Sequence, residues 1–456
     1  MMKYVFSVFI FFSCVVLLAQ EEKQQQFSMQ EAIDYALTNN YDAKVATQDI
    51  EAAKARKWET TTMGLPQISA TVNYQNWLKQ QVSVVDTAAF SEEESTGVFS
   101  EFILSQEQTL NPSVTLSQLI FDGSYLVGLQ SAKTYLKISE LAKVKTALTI
   151  REAVVNAYGN VLVAEKSLII LEGNKQILEK NLNETKKIFE NGLTEEENIE
   201  QLQITLGNLN NNIRNTKRLK DIAYQMLNIT LGNTIDQKLQ LTDTLETLTV
   251  QQSDLALLGK TFNISNHIDY QMALNSREAN ALLVKLEKSK YLPSLSAYFN
   301  YGANHFFRSF DILDAPTETI SEKSWFDYSL FGVSLNVPIF SSFGRKARVT
   351  QAKIALENSD VRLQQLEQVL SLQAKTAKSE YQLSIENYET AKQNLALAER
   401  IEKKQQVKFF EGISTSFDLS QAQNQLYTQQ NSYVQSMLSV IAKKAQLESA
   451  LNLPIK

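Results

Sequence analysis

The chain has 456 residues, 44% of them hydrophobic and 21% charged, with a formal net charge of -6. Only 14 glycines and 6 prolines occur in that length, which argues against a turn-rich all-β fold and for long helices. The mild acidity, without a basic stripe carrying interleaved aromatics, excludes nucleic acid as a partner.

The first residues, MMKYVFSVFIFFSCVVLLAQ, combine an early lysine, an apolar run and a small residue at Ala19. This is the pattern of a secretory signal peptide spanning residues 1–19. Ser13-Cys14 leaves a lipid-anchor reading open, and the apolar residues that continue past Cys14 count against it. Cys14 is the chain's only cysteine, so the mature protein has no disulfide framework and no thiol chemistry. No later stretch reads as the run of about 18 apolar residues that a membrane-spanning helix needs.

Ser28-Met29-Gln30-Glu31 is a capping-box pattern that opens a helix to about Thr62, closed by Gly64-Leu65-Pro66. A strand follows, with Ile68, Ala70, Val72 and Tyr74 alternating against Ser69, Thr71, Asn73 and Gln75. Residues 86–110 read as a long loop carrying Asp86, Glu92, Glu93, Glu94, Glu101 and Glu107 and no Lys or Arg. The Glu92-Glu93-Glu94 run has the chemistry to hold a divalent cation, but a solvated loop is the simpler reading. A second strand is expected at Val114–Leu119. Phe121-Asp122-Gly123 then launches a helix to about Glu190, on the order of 100 Å long at about 1.5 Å per residue. Asn191-Gly192-Leu193-Thr194 turns it into a return helix that ends near Leu231.

A polar linker at 236–264 separates this from a second copy of the same plan. A helix near 266–290 ends at Tyr291-Leu292-Pro293-Ser294, and a strand alternates Leu295, Ala297, Phe299 and Tyr301. An acidic loop with Asp311, Asp314, Glu318 and Glu322 precedes a strand in which Phe331, Val333, Leu335, Val337 and Ile339 share one face. After Pro338 and Ser341-Ser342-Phe343-Gly344 comes another helix of similar length, to about Phe410. It turns at Glu411-Gly412-Ile413-Ser414 and returns to Leu453-Pro454. The letters repeat with the plan: GLPQIS against YLPSLS, VTLSQLIFDG against VSLNVPIFSS, and KIFENGLT against KFFEGIST. The domain reading is therefore residues 20–235 and 265–456 as two duplicated halves, since solenoid units run only about 20 to 50 residues.

In the first long helix Leu141, Leu148, Val155, Leu162 and Ile169 recur every seven residues, shadowed by Ala147, Val154, Val161 and Leu168. A sustained seven-residue repeat means helices supercoiling on one another. Tyr74, Trp77, Tyr298, Tyr301, Trp325 and Tyr328 cluster at the strands, as in the aromatic girdles of membrane barrels. Export, short alternating strands and no spanning helix together favour a barrel, because lipid tolerates no open sheet edge. Four strands are too few to close one, so two copies giving eight or three giving twelve are required.

The series FSMQEAIDYALTNNYDAKVATQDIEAAKARKWETTTMGLPQISATVNY, YLPSLSAYFNYG, VSLNVPIFSSFGRKARVTQAKIALE, ENGLT and EGIST resembles the TolC family of outer-membrane efflux and secretion ducts. The resemblance covers nearly the whole mature chain in both halves. It implies a mainly α protein with a small β part and an internal duplication. Three copies would combine their long antiparallel helical hairpins into an α-barrel tunnel, continued by a twelve-stranded transmembrane β-barrel from segments about 66–121 and 293–340. It implies a homotrimer in the cell outer membrane, among its lipids, with a long periplasmic portion, partnered by a periplasmic adaptor and an inner-membrane transporter. Pro66, Pro293 and Pro338 fall at the expected helix–strand boundaries. The turns holding Gly192, Leu193, Gly412 and Ile413 resemble the family's adaptor-docking tips; read from the residues alone, the glycines are helix caps, and both readings stand. Asp418 matches the first acidic residue of the family's tunnel constriction, and Gln421 stands where the second would be. As a plain residue, Asp418 is an acid favoured by a helix N-terminus, and that reading also stands.

Enzyme chemistry finds no support. His267 and His305 are the only histidines, and no HExxH, CxxC or Gly-rich phosphate loop occurs, so no catalytic residue, metal or cofactor is expected. His267, near a helix start, reads as a surface or capping residue. The function expected is a passive exit duct for small molecules or proteins; the alternative is an exported coiled-coil structural or adhesive protein without a barrel.

Overall fold

The computed structural model describes residues 25–86, 99–103, 105–253, 255–307 and 325–453. The expected signal peptide with Cys14 and Ala19, the Glu92-Glu93-Glu94 run, the acids Asp311, Asp314, Glu318 and Glu322, and Pro454 lie outside them. In chain order the elements are β1 (Gln25–Phe27), α1 (Met29–Asn39), α2 (Tyr41–Thr62), β2 (Gln67–Asn76), β3 (Val82–Asp86), β4 (Phe99–Ile103), β5 (Gln108–Asp122), α3 (Gly123–Glu190) and α4 (Glu196–Leu231). There follow β6 (Leu239–Leu241), α5 (Leu245–Gln252), two short 3-10 turns, α6 (Ile268–Ser289), β7 (Ser294–Phe307), β8 (Trp325–Asn336), α7 (Gly344–Phe410) and α8 (Ser416–Ala450). The chain divides into two compact units, one of Met1–Ile50, Ile138–Leu274 and Val361–Lys456, the other of Glu51–Lys137 and Asn275–Asp360. Each sequence half contributes to both units.

The first unit is helical. Ser28 caps α1 through the expected box: its Oγ accepts from the Glu31 N–H at 3.3 Å, and the Ser28 N–H donates to Glu31 Oε2 at 2.8 Å. The single helix expected to Thr62 is instead two, broken at Asn40. There the Asn40 Oδ1 accepts the Asp42 N–H at 2.8 Å and its Nδ2 donates to the Thr230 carbonyl at 2.7 Å. A short amide side chain that bonds its own backbone offers the chain an alternative to the helix ladder.

The core of this unit is apolar. Val154, Val155, Tyr158, Val161 and Leu162 of α3 are buried against Met437, Val440 and Ile441 of α8 and Tyr381 of α7. Each such side chain contributes about 1.5–3 kcal/mol when fully buried. The seven-residue stripe of α3 leaves this core at Ile169, which is 65% exposed; a straight helix drifts about 20° per heptad, so a strict repeat cannot stay on one contact line. Among the described residues, α3 also holds an 18-residue window of mean hydropathy 1.3, apolar enough by composition to cross a membrane. That corrects the expectation that no such stretch follows the leader. Of that window 44% is buried, as the core packing of α3 requires.

The segment read as a polar linker is structured. β6 pairs in parallel with β1, Gln25 against Leu239 through Phe27 against Leu241, and α5 buries Leu245 and Leu248 in the same core. Two tyrosines pin it: the Tyr158 hydroxyl donates to Asp243 Oδ2 at 3.1 Å, as well as to the Phe27 carbonyl of β1 at 2.9 Å, and the Tyr381 hydroxyl donates to the Gln252 carbonyl at 2.6 Å. Burial, with the neighbouring Asp243 carboxylate, pushes the Tyr158 phenol well above its ordinary value.

The second unit carries a four-stranded antiparallel sheet in the order β2-β5-β7-β8. Its strands run further than the alternation alone suggested at one end: β5 begins at Gln108, pairing with Asn76, and β7 extends to Phe307. The expected loop at 86–110 therefore holds structure, because β3 and β4 form their own hairpin, Val82 against Ile103 through Asp86 against Phe99. At the other end β8 stops at Asn336, so Val337 and Ile339 lie past it, contrary to the longer strand expected.

Candidate functional sites

The sheet has two chemically distinct faces. Its register aligns Ile68, Leu116, Phe299 and Phe331 across the four strands, with Ala70, Val114 and Tyr301 one step along. This face is mainly apolar and open, with Phe331 69% exposed, although β8 also places Ser329 and Asp327 on it, opposite Tyr301 and Ala303. The opposite face carries Ser69, Thr71, Asn73, Ser113, Thr115, Asn300 and Ser334, and the Asn300 Nδ2 donates to Thr115 Oγ1 at 2.6 Å. β2 and β8 stand at the two ends of the order without a further neighbour among the described residues.

The strand aromatics divide between those faces. Tyr74 and Trp325 end the apolar face, where Trp325 stacks on His305 with ring centroids 4.8 Å apart. Tyr298 and Tyr328, grouped with them in the sequence as girdle residues, instead belong to the polar face. Each lies over the glycine directly across the ladder: a Cβ on Gly332 would stand 2.5 Å from the Tyr298 ring, and one on Gly302 would stand 2.6 Å from the Tyr328 hydroxyl. Glycine here is a close-approach requirement.

The two helix-hairpin tips belong to the helical unit. At the first, the Gly192 N–H bonds the Phe189 carbonyl at 2.7 Å and the Leu193 N–H the Ile188 carbonyl at 3.1 Å. At the second, Gly412 bonds Phe409 at 3.1 Å and Ile413 bonds Lys408 at 2.8 Å. Both glycines have φ of +74°, the left-handed cap that satisfies the last carbonyls of a helix. Leu193 and Ile413, next in line, are 78% and 70% exposed.

Asp418 has a defined local role. The Thr415 Oγ1 accepts the Asp418 N–H at 3.2 Å, while Asp418 Oδ2 accepts from the Thr415 N–H at 3.0 Å and its hydroxyl at 2.8 Å. This capping box holds the Asp418 carboxyl below the ordinary aspartate value, through the Thr415 backbone bond first and its hydroxyl second. Gln421 is exposed one turn further along α8. The three prolines sit between elements: Pro66 directly before β2, Pro293 directly before β7, and Pro338 between β8 and α7. His267 is buried rather than at the surface, and its Nδ1 accepts the Asp269 N–H at 3.2 Å at the start of α6. Burial lowers its pKa.

A feature absent from the sequence reading joins the two hairpins. Inside the first hairpin, α3 and α4 bury an apolar cluster of Leu178, Leu182, Ile199, Leu202, Leu209 and Ile213. Beyond the shared apolar core, toward the tips, polar contacts join the hairpins: Asn174 donates to Gln430 at 2.7 Å, Gln406 donates to Asn181 at 2.8 Å, and Thr205 meets Ser420 at 3.3 Å. At the tips the Ser416 N–H donates to Asn198 Oδ1 at 3.2 Å. Asn174 and Asn181 are seven residues apart, so the seam had a periodic signal. Close by, burial raises the Glu402 carboxyl above its usual range against a bond from Gln423, and pushes the Tyr427 phenol up to about 12.

Two long helical hairpins and an open sheet with one apolar face are a recognisable combination, and residues 264–453 match the model of the outer membrane efflux protein family. Over that segment the chain is similar to the outer membrane efflux proteins. No curated protein matches the chain. Among solved structures, the chain is similar to CusC, described through its folding and transmembrane channel formation, at 16% identity and a TM-score of 0.72, over 93% of this chain and 92% of CusC. VceC of Vibrio cholerae, an outer membrane protein, aligns at 15% identity and a TM-score of 0.69, over 94% of this chain and 97% of VceC. The CmeC outer membrane channel of Campylobacter jejuni aligns at 18% identity and 0.68, over 93% and 85%. The fold shared with these three structures thus extends over both halves, including the half that the family model does not reach.

Proposed function

We propose that the protein is a passive outer-membrane exit duct of a tripartite efflux or type I secretion system. The observation that carries this is the sheet: four strands with one exposed apolar face and edges at β2 and β8. In lipid an open edge leaves backbone groups without partners. Three copies edge to edge would close a twelve-stranded barrel, within the range of known membrane barrels, and their helical hairpins would line the tunnel across the periplasm. The duplicated halves, with matching tips at Gly192 and Gly412, supply the paired hairpins that such a tunnel needs. The family match over residues 264–453 and the three similar structures support this reading. An exported coiled-coil protein would have no use for the exposed apolar sheet face, which counts against that alternative.

In this reading the tips at Gly192-Leu193 and Gly412-Ile413 meet a periplasmic adaptor, which links the duct to an inner-membrane transporter that supplies the energy. Three Asp418 carboxylates, with Gln421 behind them, would ring the narrow end. The test is reconstitution of the purified protein into planar bilayers, with native mass spectrometry on the same sample. Trimers with steady conductance are expected, and Asp418→Ala should raise that conductance. Monomers that never conduct would overturn the duct, whereas conductance unchanged by Asp418→Ala would remove only Asp418 from the constriction.

A further inference from the structure

We infer that the loop between β8 and α7, residues 337–343, is a lipid anchor that seats in the phospholipid headgroup layer at the helix-side limit of the sheet's apolar face. The inference rests on the membrane reading of the sheet. Ile339, Phe340 and Phe343 are 90%, 73% and 73% exposed, although the chain spends considerable order on presenting them. Phe340 and Phe343 meet edge to face, centroids 5.9 Å apart. Ser342 and Phe343 have φ of 47° and 61°, the left-handed region that a bulky residue enters only under constraint.

The constraint is visible. Arg345 is buried; its Nε donates to Ser341 Oγ at 3.0 Å, its Nη1 donates to the Pro338 carbonyl at 2.9 Å, and its guanidinium lies 5.0 Å from the Tyr291 ring centroid. The Gly344 N–H bonds Ser341 at 2.8 Å and the Ala347 N–H bonds Phe343 at 3.0 Å. The turn's main chain caps α7 and holds Arg345, yet Ile339, Phe340 and Phe343 remain exposed beyond it. An apolar medium outside it would supply the missing contacts.

Two observations identify that medium as the edge of a bilayer. The alternation of Phe331, Val333 and Leu335 continues in sequence through Val337 and Ile339, so the loop prolongs the apolar face after strand pairing stops. The other end of that face closes with Tyr74 and Trp325, the amphipathic aromatics usual at a membrane interface. Lys288 and Lys346 are exposed on the helix ends that flank the loop, while the buried Glu287 carboxylate is already engaged by Lys290 at 2.6 Å and Arg348 at 3.3 Å. Lysines beside inserted aromatics suit phosphate-bearing headgroups.

The test places one nitroxide at a time on the full chain, with Cys14 replaced by serine. Phe343→Cys, Ile339→Cys and Phe331→Cys are reconstituted in vesicles of phosphatidylethanolamine and phosphatidylglycerol. Collision rates are then measured with oxygen and with a water-soluble nickel chelate. Phe331→Cys should meet oxygen alone, and the two loop positions should meet both, with oxygen exceeding nickel several-fold. Two loop positions that meet only nickel would overturn the anchor, as would positions shielded from both, which would mean a second copy covers the loop. Nickel access at position 331 would overturn the membrane reading of the sheet and the anchor with it. Oxygen access at 331 beside a water-exposed loop would overturn the anchor alone.

Discussion

The two helix-hairpin tips share a backbone and differ in nearly all their chemistry. Both turn on a glycine at φ +74° with the same pair of capping bonds, and both next present an exposed aliphatic residue. The first tip then enters α4 through Glu195, whose side chain makes no cap bond, followed by Glu196 and Glu197. The second enters α8 through Thr415 in a full capping box with Asp418. Behind the turns, Leu202 fills the position that Ala422 occupies in the second tip, and both are buried. The turn's geometry depends on one residue that accepts the left-handed conformation and on main-chain bonds, which any flanking side chains leave intact. Surface charge, capping and packing volume were therefore free to diverge.

The comparison can be broken most forcefully in the packing. Leu202→Ala should cost the first tip about 2–5 kcal/mol, as for other large-to-small core changes, whereas Ala422→Leu should cost the second about 1–3 kcal/mol by overpacking. Hydrogen exchange across residues 178–213 and 405–430 measures both. Equal, negligible effects would mean the two positions are not built as opposites.

The turns themselves should respond alike. Gly192→Ala and Gly412→Ala each force a Cβ into the left-handed region, at a cost of about 1–2 kcal/mol. No neighbouring atom lies within 4 Å of the point where either added methyl would stand, so backbone conformation alone sets the cost. A marked difference between the two variants in local exchange would sink the idea that the turns are one object used twice.

Capping should separate them again. Thr415→Ala should weaken the first turn of α8 by about 1 kcal/mol, while Glu195→Ala should leave α4 unchanged and Glu195→Thr should strengthen it. Amide exchange in the two first turns reads this directly, and a loss at Glu195→Ala would contradict the uncapped geometry.

The smallest effect is in pH. Because the folded-state pKa of Asp418 lies below its ordinary value, its contribution is present above the ordinary aspartate range and is lost as pH falls through the depressed value. Asn198 holds the equivalent place in the first tip and does not titrate. Acidification from neutral to about pH 3 should therefore loosen the second tip's first turn relative to its neutral-pH state, an effect that Asp418→Asn should abolish. An acid response at the second tip that survives Asp418→Asn would assign it to another group.

Much of this architecture was legible in the residues alone. The long helices end at Glu190 and Phe410, where glycines follow within two residues, and the alternation of Ile68, Val72, Phe299 and Phe331 marks the apolar sheet face. Other parts carried no local signal. β3, β4 and β6 are five, five and three residues long, too short to show a period. The Tyr298–Gly332 and Tyr328–Gly302 pairs exist only because register brings opposite strands together. The break at Asn40 depends partly on its bond to the Thr230 carbonyl, 190 residues away in the chain. The sequence offered Asp418 as an acid favoured by a helix N-terminus; the structure places it in the first turn of α8 and adds a capping box with Thr415.

By itself, then, the order of residues determined period and punctuation: which segments are helices or strands, and where glycine and proline stop them. These are local properties, set within a few residues by backbone sterics and side-chain alternation. Only the tertiary structure decided what meets what. It set the β2-β5-β7-β8 order, the polar contacts that join the hairpins toward their tips, the burial of the apparent linker under Tyr158 and Tyr381, and the outward aim of Phe340 and Phe343. Those contacts join residues up to hundreds of positions apart, and their free energy depends on geometry that no local pattern encodes.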